Sequence, residues 1–366
     1  MLFKLKQYGL NNKVLSWIKC YLTNRRHRVR LNNKYSNWEK VTSGIPQGSV
    51  LGPLLFLVYI NDLPKECENL SDISLFADDA KLSKLLSSNN DKIMLQQSLN
   101  RLKSWADKWL LSLNIIKCIV INIRKGCDDP NDYYIETQTG NKILQCANST
   151  SDLGIIIDNN LNFKSHINSK IKKANSMLGI IKRNFKHLDK FTFNLLYKSL
   201  VRSHLEYASS VWHPYRKGLI NELEKVQKHA TKLVQNIKKL SYTERLQYLN
   251  LPTLKYRRFR GDMIETYKII NNKYDKSIVP DLEINKSNLT RGHSCKLLVQ
   301  RSKHDMRKYS FTVRVSSIWN NLSEKVISSK TINNFKNNLD EHWKNQDLLY
   351  NFKSQLTNLM GVPISF

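Results

Sequence analysis

Apolar residues recur along the chain at two spacings, and each spacing predicts an element. Leu10, Val14, Trp17, Ile18 and Tyr21 keep a helical period, which predicts helix over residues 2–22. The stretch RRHRVRLNNKYSNWEKVTSG alternates instead. Val29, Leu31, Trp38 and Val41 mark two short strands about a turn at Asn32-Asn33. Residues 50–60, VLGPLLFLVYI, are apolar throughout and predict a buried helix from about residue 50 to residue 62. The run is too short for a membrane span, which needs about 20 residues, and Pro53 lies inside it. DISLFADDAKL predicts a hairpin, with Ile73, Leu75 and Ala77 on one face and Ser74, Phe76 and Asp78 on the other. Leu95, Leu99, Leu102, Ala106, Trp109 and Leu113 step as a helix over residues 91–113. KCIVINI reads as a buried strand, residues 126–150 as a polar loop around the turn cluster GCDDPND, and LGIIID as a short strand over 153–158.

Beyond residue 160 the pattern turns helical. Phe163, Ile167, Ile171, Ala174, Leu178, Ile181 and Phe185 form one stripe, and further helices are expected over 190–211, 218–237, 254–272 and 331–345. TRGHSCKLLVQ is a candidate strand in an otherwise polar tail. A mixed block followed by a helical block predicts an α+β chain. Its expected divisions are 1–125, 126–160, 161–275 and 276–366.

Charge adds a partner class to this picture. The chain holds 59 Lys and Arg against 30 Asp and Glu, a net charge of +29. Residues 164–260 alone carry 22 basic and 5 acidic side chains. Such a field selects a polyanion, with nucleic acid the first candidate and an anionic membrane surface the second. The six cysteines, at 20, 67, 118, 127, 146 and 295, form no CxxC pair, which removes support for a zinc site. They read as reduced thiols of an intracellular protein, nuclear or cytoplasmic. The start, MLFKLKQYGL, lacks the apolar core and cleavage site of a signal peptide.

Two motifs carry candidate chemistry. The first is LFADDAKL, residues 75–82, where Asp78 and Asp79 are pushed out at the tip of a hairpin. Adjacent carboxylates are what magnesium selects, and two-metal sites clamp the attacking and leaving oxygens of a phosphoryl transfer. Taken alone the pair is equally at home in an ordinary turn, where Asp is common. The second is SGIPQGSVLGPLLF, residues 43–56. Gly44 and Gly48 flank Pro46 and Gln47, so that a backbone can approach a flat ligand and an amide can bond its edge.

In this order the two motifs resemble the reverse transcriptases of non-LTR (LINE-like) retrotransposons, close to the jockey group. YLTNRRHRVRLNN, NIIKCIVINI, DLGIIID, LVRSHLEYASSVW, LEKVQKHATKLV, RRFRGDMIETYKI, TRGHSCKL and RVSSIWNNL extend the resemblance over nearly the whole chain. It implies part of a polymerase palm followed by a basic helical thumb, and an RNA-directed DNA polymerase acting on RNA template, DNA primer or target and deoxynucleoside triphosphates, with no membrane partner. Asp78 and Asp79 would be catalytic metal ligands for Mg2+. Gly44, Pro46, Gln47 and Gly48 would line nucleotide and template. Lys117 would be a general acid near the leaving pyrophosphate, and Leu153 and Gly154 would sit at the primer grip.

The sequence departs from the pattern at one place. The family carries a third carboxylate upstream, in a D-x-x-x-A-F-D stretch. Here Glu39, in the wrong element, is the one acid before Asp62. The expectation is a truncated retroelement product with little or no polymerase activity. The competing reading is a nucleic-acid-binding remnant without chemistry.

Overall fold

The computed structural model describes residues 1–45, 48–123, 133–285, 293–358 and 361–364. These residues fall into two compact units. The first comprises Met1–Val120 and the described residues up to Ala147; the second comprises residues 121–123 and the chain from Asn148.

In the first unit the expected helix over 2–22 is two helices, α1 (Leu2–Gln7) and α2 (Asn12–Leu22). Gly9, at φ +84°, breaks it, and Asn11 restarts it by accepting a hydrogen bond from the Val14 amide at 3.0 Å. Four two-residue strands follow: β1 (Arg26–His27), β2 (Arg30–Leu31), β3 (Lys34–Tyr35) and β4 (Glu39–Lys40). β2 pairs with β3 about the predicted Asn32-Asn33 turn, and β1 pairs with β4 below it.

The apolar run is helix α3 (Leu51–Ile60), with α4 (Leu63–Glu66) after it. Leu5, Ile18 and Leu55 pack α1 and α2 against one side of α3. Lys4 is buried in this corner, where its ammonium donates to the Tyr59 carbonyl at 2.5 Å and to Asp62 at 2.6 Å. α3 is not the fully buried helix its composition predicts. Among the described residues Leu54 and Leu57 of α3, and Val50 just before it, remain exposed.

The hairpin DISLFADDAKL forms as expected, from β5 (Asp72–Phe76) and β6 (Asp79–Ser83). The next helix, α5 (Asn89–Lys108), starts two residues earlier than its stripe predicts because Ser88 and Asp91 form a capping box. KCIVINI contributes only β7 (Ile119–Val120), half-buried, paired in parallel with β10 (Gln145–Cys146). Between them the expected loop contains a hairpin, β8 (Tyr134–Thr137) with β9 (Gly140–Ile143). Its buried Tyr133, Ile135 and Leu144 pack on Leu95 and Leu99 of α5, and the Gln96 amide brackets Tyr134 N and O at 3.1 and 2.9 Å. GCDDPND lies outside the described residues.

The second unit opens with hairpin β11 (Ser149–Asp152) and β12 (Ile155–Asp158), then α6 (Lys164–Asn184) on the predicted stripe. Every ladder among the described residues is two-stranded, so strands and helices alternate without one continuous sheet. The expected helix over 190–211 is a broken series: α7 (Lys190–Leu196), a π-turn stretch over Tyr197–Arg202, α8 (Ser203–Glu206) and α9 (Ser209–Trp212). Ser199 and Ser203 bond back to the carbonyls of Leu195 and Ser199 at 2.7 and 2.6 Å, which loosens the helical ladder, and Ala208, at φ +50°, ends it. α10 (Lys217–Thr231), α11 (Tyr242–Leu249) and α12 (Leu254–Ile270) complete a core that includes Ile167, Leu178, Tyr197, Leu205, Leu223 and Leu246.

The tail holds α13 (Asp305–Lys308), α14 (Phe311–Asn320), α15 (Glu324–Ile327) and α16 (Ile332–His342). They pack Val315, Trp319, Phe335 and Trp343 on Tyr256, Met263 and Tyr267 of α12. The described part of TRGHSCKLLVQ is no strand; it contributes a single bridge, Leu297 to Ile284. No helix among the described residues is long and apolar enough to cross a membrane.

Candidate nucleotidyl-transfer site

The two aspartates occupy the tip of the β5–β6 hairpin. Phe76 and Asp79 close the ladder, leaving Ala77 and Asp78 as a two-residue turn. Such a turn needs positive φ at its first central residue, and Ala77 adopts φ +51° without the help of a glycine. A non-glycine residue in the left-handed region costs on the order of 1 kcal/mol or more, a strain that clusters at functional sites. Both aspartates are exposed. Among the described residues their carboxylates make no hydrogen bond or ion pair, so all four oxygens are free to meet a ligand.

The hairpin is held from below. Ile73, Leu75 and Leu82 pack into the cluster formed by Phe56 and Ile60 of α3 and by Leu102, Trp105 and Ala106 of α5. The helix that leaves the glycine loop therefore shares a core with the strands that carry the acids. Leu113 joins the same cluster and also the one beneath the 3-10 turn Ile115–Lys117. Lys117 stands exposed at the end of that turn. Among the described residues it pairs with neither aspartate.

Gly44 and Gly48 have φ of +77° and +81°, and among the described residues a Cβ on either would meet nothing within 4 Å. Glycine is required here for backbone conformation, not for space. Pro46 and Gln47 lie outside the described residues. Arg25, Ser49 and Tyr21, to which the sequence assigns no role at the loop, fix its two ends. Arg25 donates through its guanidinium to the carbonyls of Leu22 and Gly44. Ser49 Oγ accepts from the Gly52 amide at 2.9 Å, capping the first turn of α3, and from the Tyr21 hydroxyl at 2.6 Å. The serine preceding a helix was a legible capping signal; the tyrosine and arginine carried none.

Leu153 and Gly154 belong to the second unit, where they form the β11–β12 turn at φ +46° and +79°. The Leu153 carbonyl accepts from Tyr207 at 3.0 Å. Behind this hairpin, His166 Nδ1 accepts the Ile156 amide at 3.1 Å. Burial, reinforced by Lys170, pushes the His166 pKa down to about 4. The ring is neutral at physiological pH, with its proton on the other nitrogen.

Adjacent, unpaired carboxylates suit a hard cation with oxygen ligands. No group of three His, Cys, Asp or Glu side chains able to hold a metal occurs among the described residues.

Comparisons with known proteins bear on the same stretch of the chain. Residues 2–157 match the family model described as reverse transcriptase (RNA-dependent DNA polymerase). Among curated proteins, the probable RNA-directed DNA polymerase from transposon BS of Drosophila melanogaster is 30% identical over 249 residues, 64% of this chain and 26% of that protein. The RNA-directed DNA polymerase from mobile element jockey of Drosophila funebris is 29% identical over 241 residues, 62% of this chain and 25% of that protein. The probable RNA-directed DNA polymerase from transposon X-element of Drosophila melanogaster is 27% identical over 227 residues, 59% of this chain and 24% of that protein. The chain spans about a quarter of the length of these relatives. Residues 2–157, which contain the glycine loop and the aspartate pair, carry the match to the reverse transcriptase model, and the chain is similar to the polymerases of the mobile elements jockey, BS and X-element.

Proposed function

We propose that the chain is the nucleotide-site and duplex-gripping portion of an RNA-directed DNA polymerase. RNA template, DNA primer and deoxynucleoside triphosphates are its ligands. Asp78 and Asp79 hold Mg2+, and Gly44, Pro46, Gln47 and Gly48 line nucleotide and template. Lys117 donates a proton to the leaving pyrophosphate. Leu153 and Gly154 support the primer end, and the basic helices from about residue 161 track the duplex through its phosphates. When bound, magnesium supplies the charge that lowers the pKa of a primer hydroxyl and neutralises the triphosphate. The observation that carries this reading is the free carboxylate pair on a strained turn, anchored in the core that α3 shares.

A second reading, binding without extension, is favoured by the missing third carboxylate among the described residues. We combine the two: this chain binds primer–template and nucleotide but extends little or not at all by itself. Primer extension by the purified chain in magnesium, run beside a filter-binding titration, separates them. The expected outcome is salt-sensitive binding with extension near background. Robust extension abolished by Asp78→Asn would contradict the incomplete-site half, and absence of binding would contradict both.

A further inference from the structure

Residues 26–40 form an arm whose side chains are all exposed. The arm consists of the β1–β4 ladder, a Val29–Ser36 link in which the Ser36 amide donates to the Val29 carbonyl at 3.0 Å and the Val29 amide to Ser36 Oγ at 2.9 Å, and the β2–β3 ladder at the tip. Asn32 and Asn33, at φ +45° and +63°, give the tip the backbone that a two-residue hairpin requires. Arg28 lies between the two ladders. Its guanidinium carbon is 3.9 Å from the Tyr35 ring centroid and 4.6 Å from that of Trp38. The Arg30 guanidinium carbon lies 5.6 Å from the same Tyr35 ring centroid. Trp38 is 56% exposed and Tyr35 51%, so neither ring is core.

An isolated two-stranded ribbon is marginal in water, and one that displays two aromatic rings and three arginines does not serve packing. Arg26, Arg28, Arg30, Lys34 and Lys40 face a single acid, Glu39, within these residues. We propose that the arm is a binding site for unpaired nucleic acid, in which Tyr35, Trp38 and the Arg28 plane take bases and the flanking cations take phosphates. Every base has a π-face, and stacking on aromatic or guanidinium planes is how single strands are held without sequence preference. Bases buried inside a duplex offer no such faces, so the arm discriminates single strand from duplex. The duplex belongs to the helical block, and the inference rests on the proposed nucleic-acid role of the chain.

The test is fluorescence anisotropy of the full chain with a labelled, unstructured single-stranded RNA and with a blunt duplex of the same sequence. Tyr35→Ala, Trp38→Ala and Arg28→Lys each weaken single-strand binding about tenfold, the loss of roughly one stacked base. Duplex affinity stays within about twofold of wild type. Arg28→Lys keeps the charge and removes the plane, so it isolates stacking from electrostatics. Trp38→Phe, which keeps a ring, retains most of the affinity and controls for collapse of the ladder. Unchanged single-strand affinity, an equal loss on both ligands, or Trp38→Phe behaving as Trp38→Ala overturns the proposal. A wild-type chain that binds duplex but not single strand overturns the arm alone; one that binds neither overturns the parent reading as well.

Discussion

The Tyr207 hydroxyl donates to the Leu153 carbonyl at 3.0 Å, joining the end of α8 to a turn 54 residues earlier. The bond spans the β11–β12 hairpin and the helical block, which are also joined by the Ile156 amide on His166 Nδ1 and by the apolar cluster that holds Ile155 and Ile167. Because it is exposed, Tyr207→Phe costs no more than about 1 kcal/mol of stability. If Leu153 and Gly154 support a primer end, the same change weakens primer–template binding several-fold. Binding at constant fold, checked by circular dichroism, reads the two effects separately.

His166 makes the second unit sensitive to acid. Its folded pKa is about 4, depressed from an ordinary 6.5 by burial and then by Lys170. The sign follows from the neutral ring being the folded form. Its contribution is complete above pH 6.5 and is lost as pH falls through about 4, a change on the order of 3 kcal/mol. Chemical unfolding at pH 7 and pH 4.5 shows this loss. His166→Asn offers a carbonyl oxygen to the Ile156 amide and flattens the profile.

Asp262 is buried at the junction of α12 with the tail. Burial opposes its charge, but Arg314, through two bonds of 3.0 Å, and His213, at 2.8 Å, hold its pKa down at about 2. Removing the carboxylate leaves a buried guanidinium without its partner. Asp262→Ala therefore destabilises the second unit by about 3–5 kcal/mol, measured by urea unfolding. A loss below about 1 kcal/mol would show that the tail is held by its apolar cluster alone.

Gly48 tests the loop. At φ +81°, with no described residue within 4 Å of its Cβ, an alanine is strained by backbone conformation. Gly48→Ala costs about 1 kcal/mol of stability. It also weakens deoxynucleotide binding, which equilibrium dialysis measures, more than it weakens primer–template binding.

Much of this arrangement was legible in the sequence because short-range physics dictates it. Asn32-Asn33 and the alternation through Ile73 and Leu75 specify their hairpins, and the stripe from Phe163 to Phe185 specifies α6. The β8–β9 hairpin was missed because Tyr133 and Ile135 are two apolar positions in a polar stretch, given meaning only by α5 beneath them. α11 was missed for its polar face, although Ser241 and Glu244 write a capping box at its start. Gly9 and the back-bonding serines split helices that periodicity alone runs together. α3 misled in the opposite direction: an apolar run guarantees a helix's taste for burial, while Val50, Leu54 and Leu57 find no cover among the described residues. The aspartate pair was visible as a string, but the strained Ala77 and the Ser49–Tyr21 latch required coordinates.

The most direct test of the central claim is Mn2+ binding to the full chain, followed by electron paramagnetic resonance in the presence of primer–template and a deoxynucleoside triphosphate. Manganese stands in for magnesium at oxygen sites. One class of bound ion is expected, with an affinity that falls at least tenfold in Asp78→Asn and in Asp79→Asn, roughly the cost of one lost charged ligand. Binding that is equal in wild type and both variants would contradict the assignment of Asp78 and Asp79 as the metal pair.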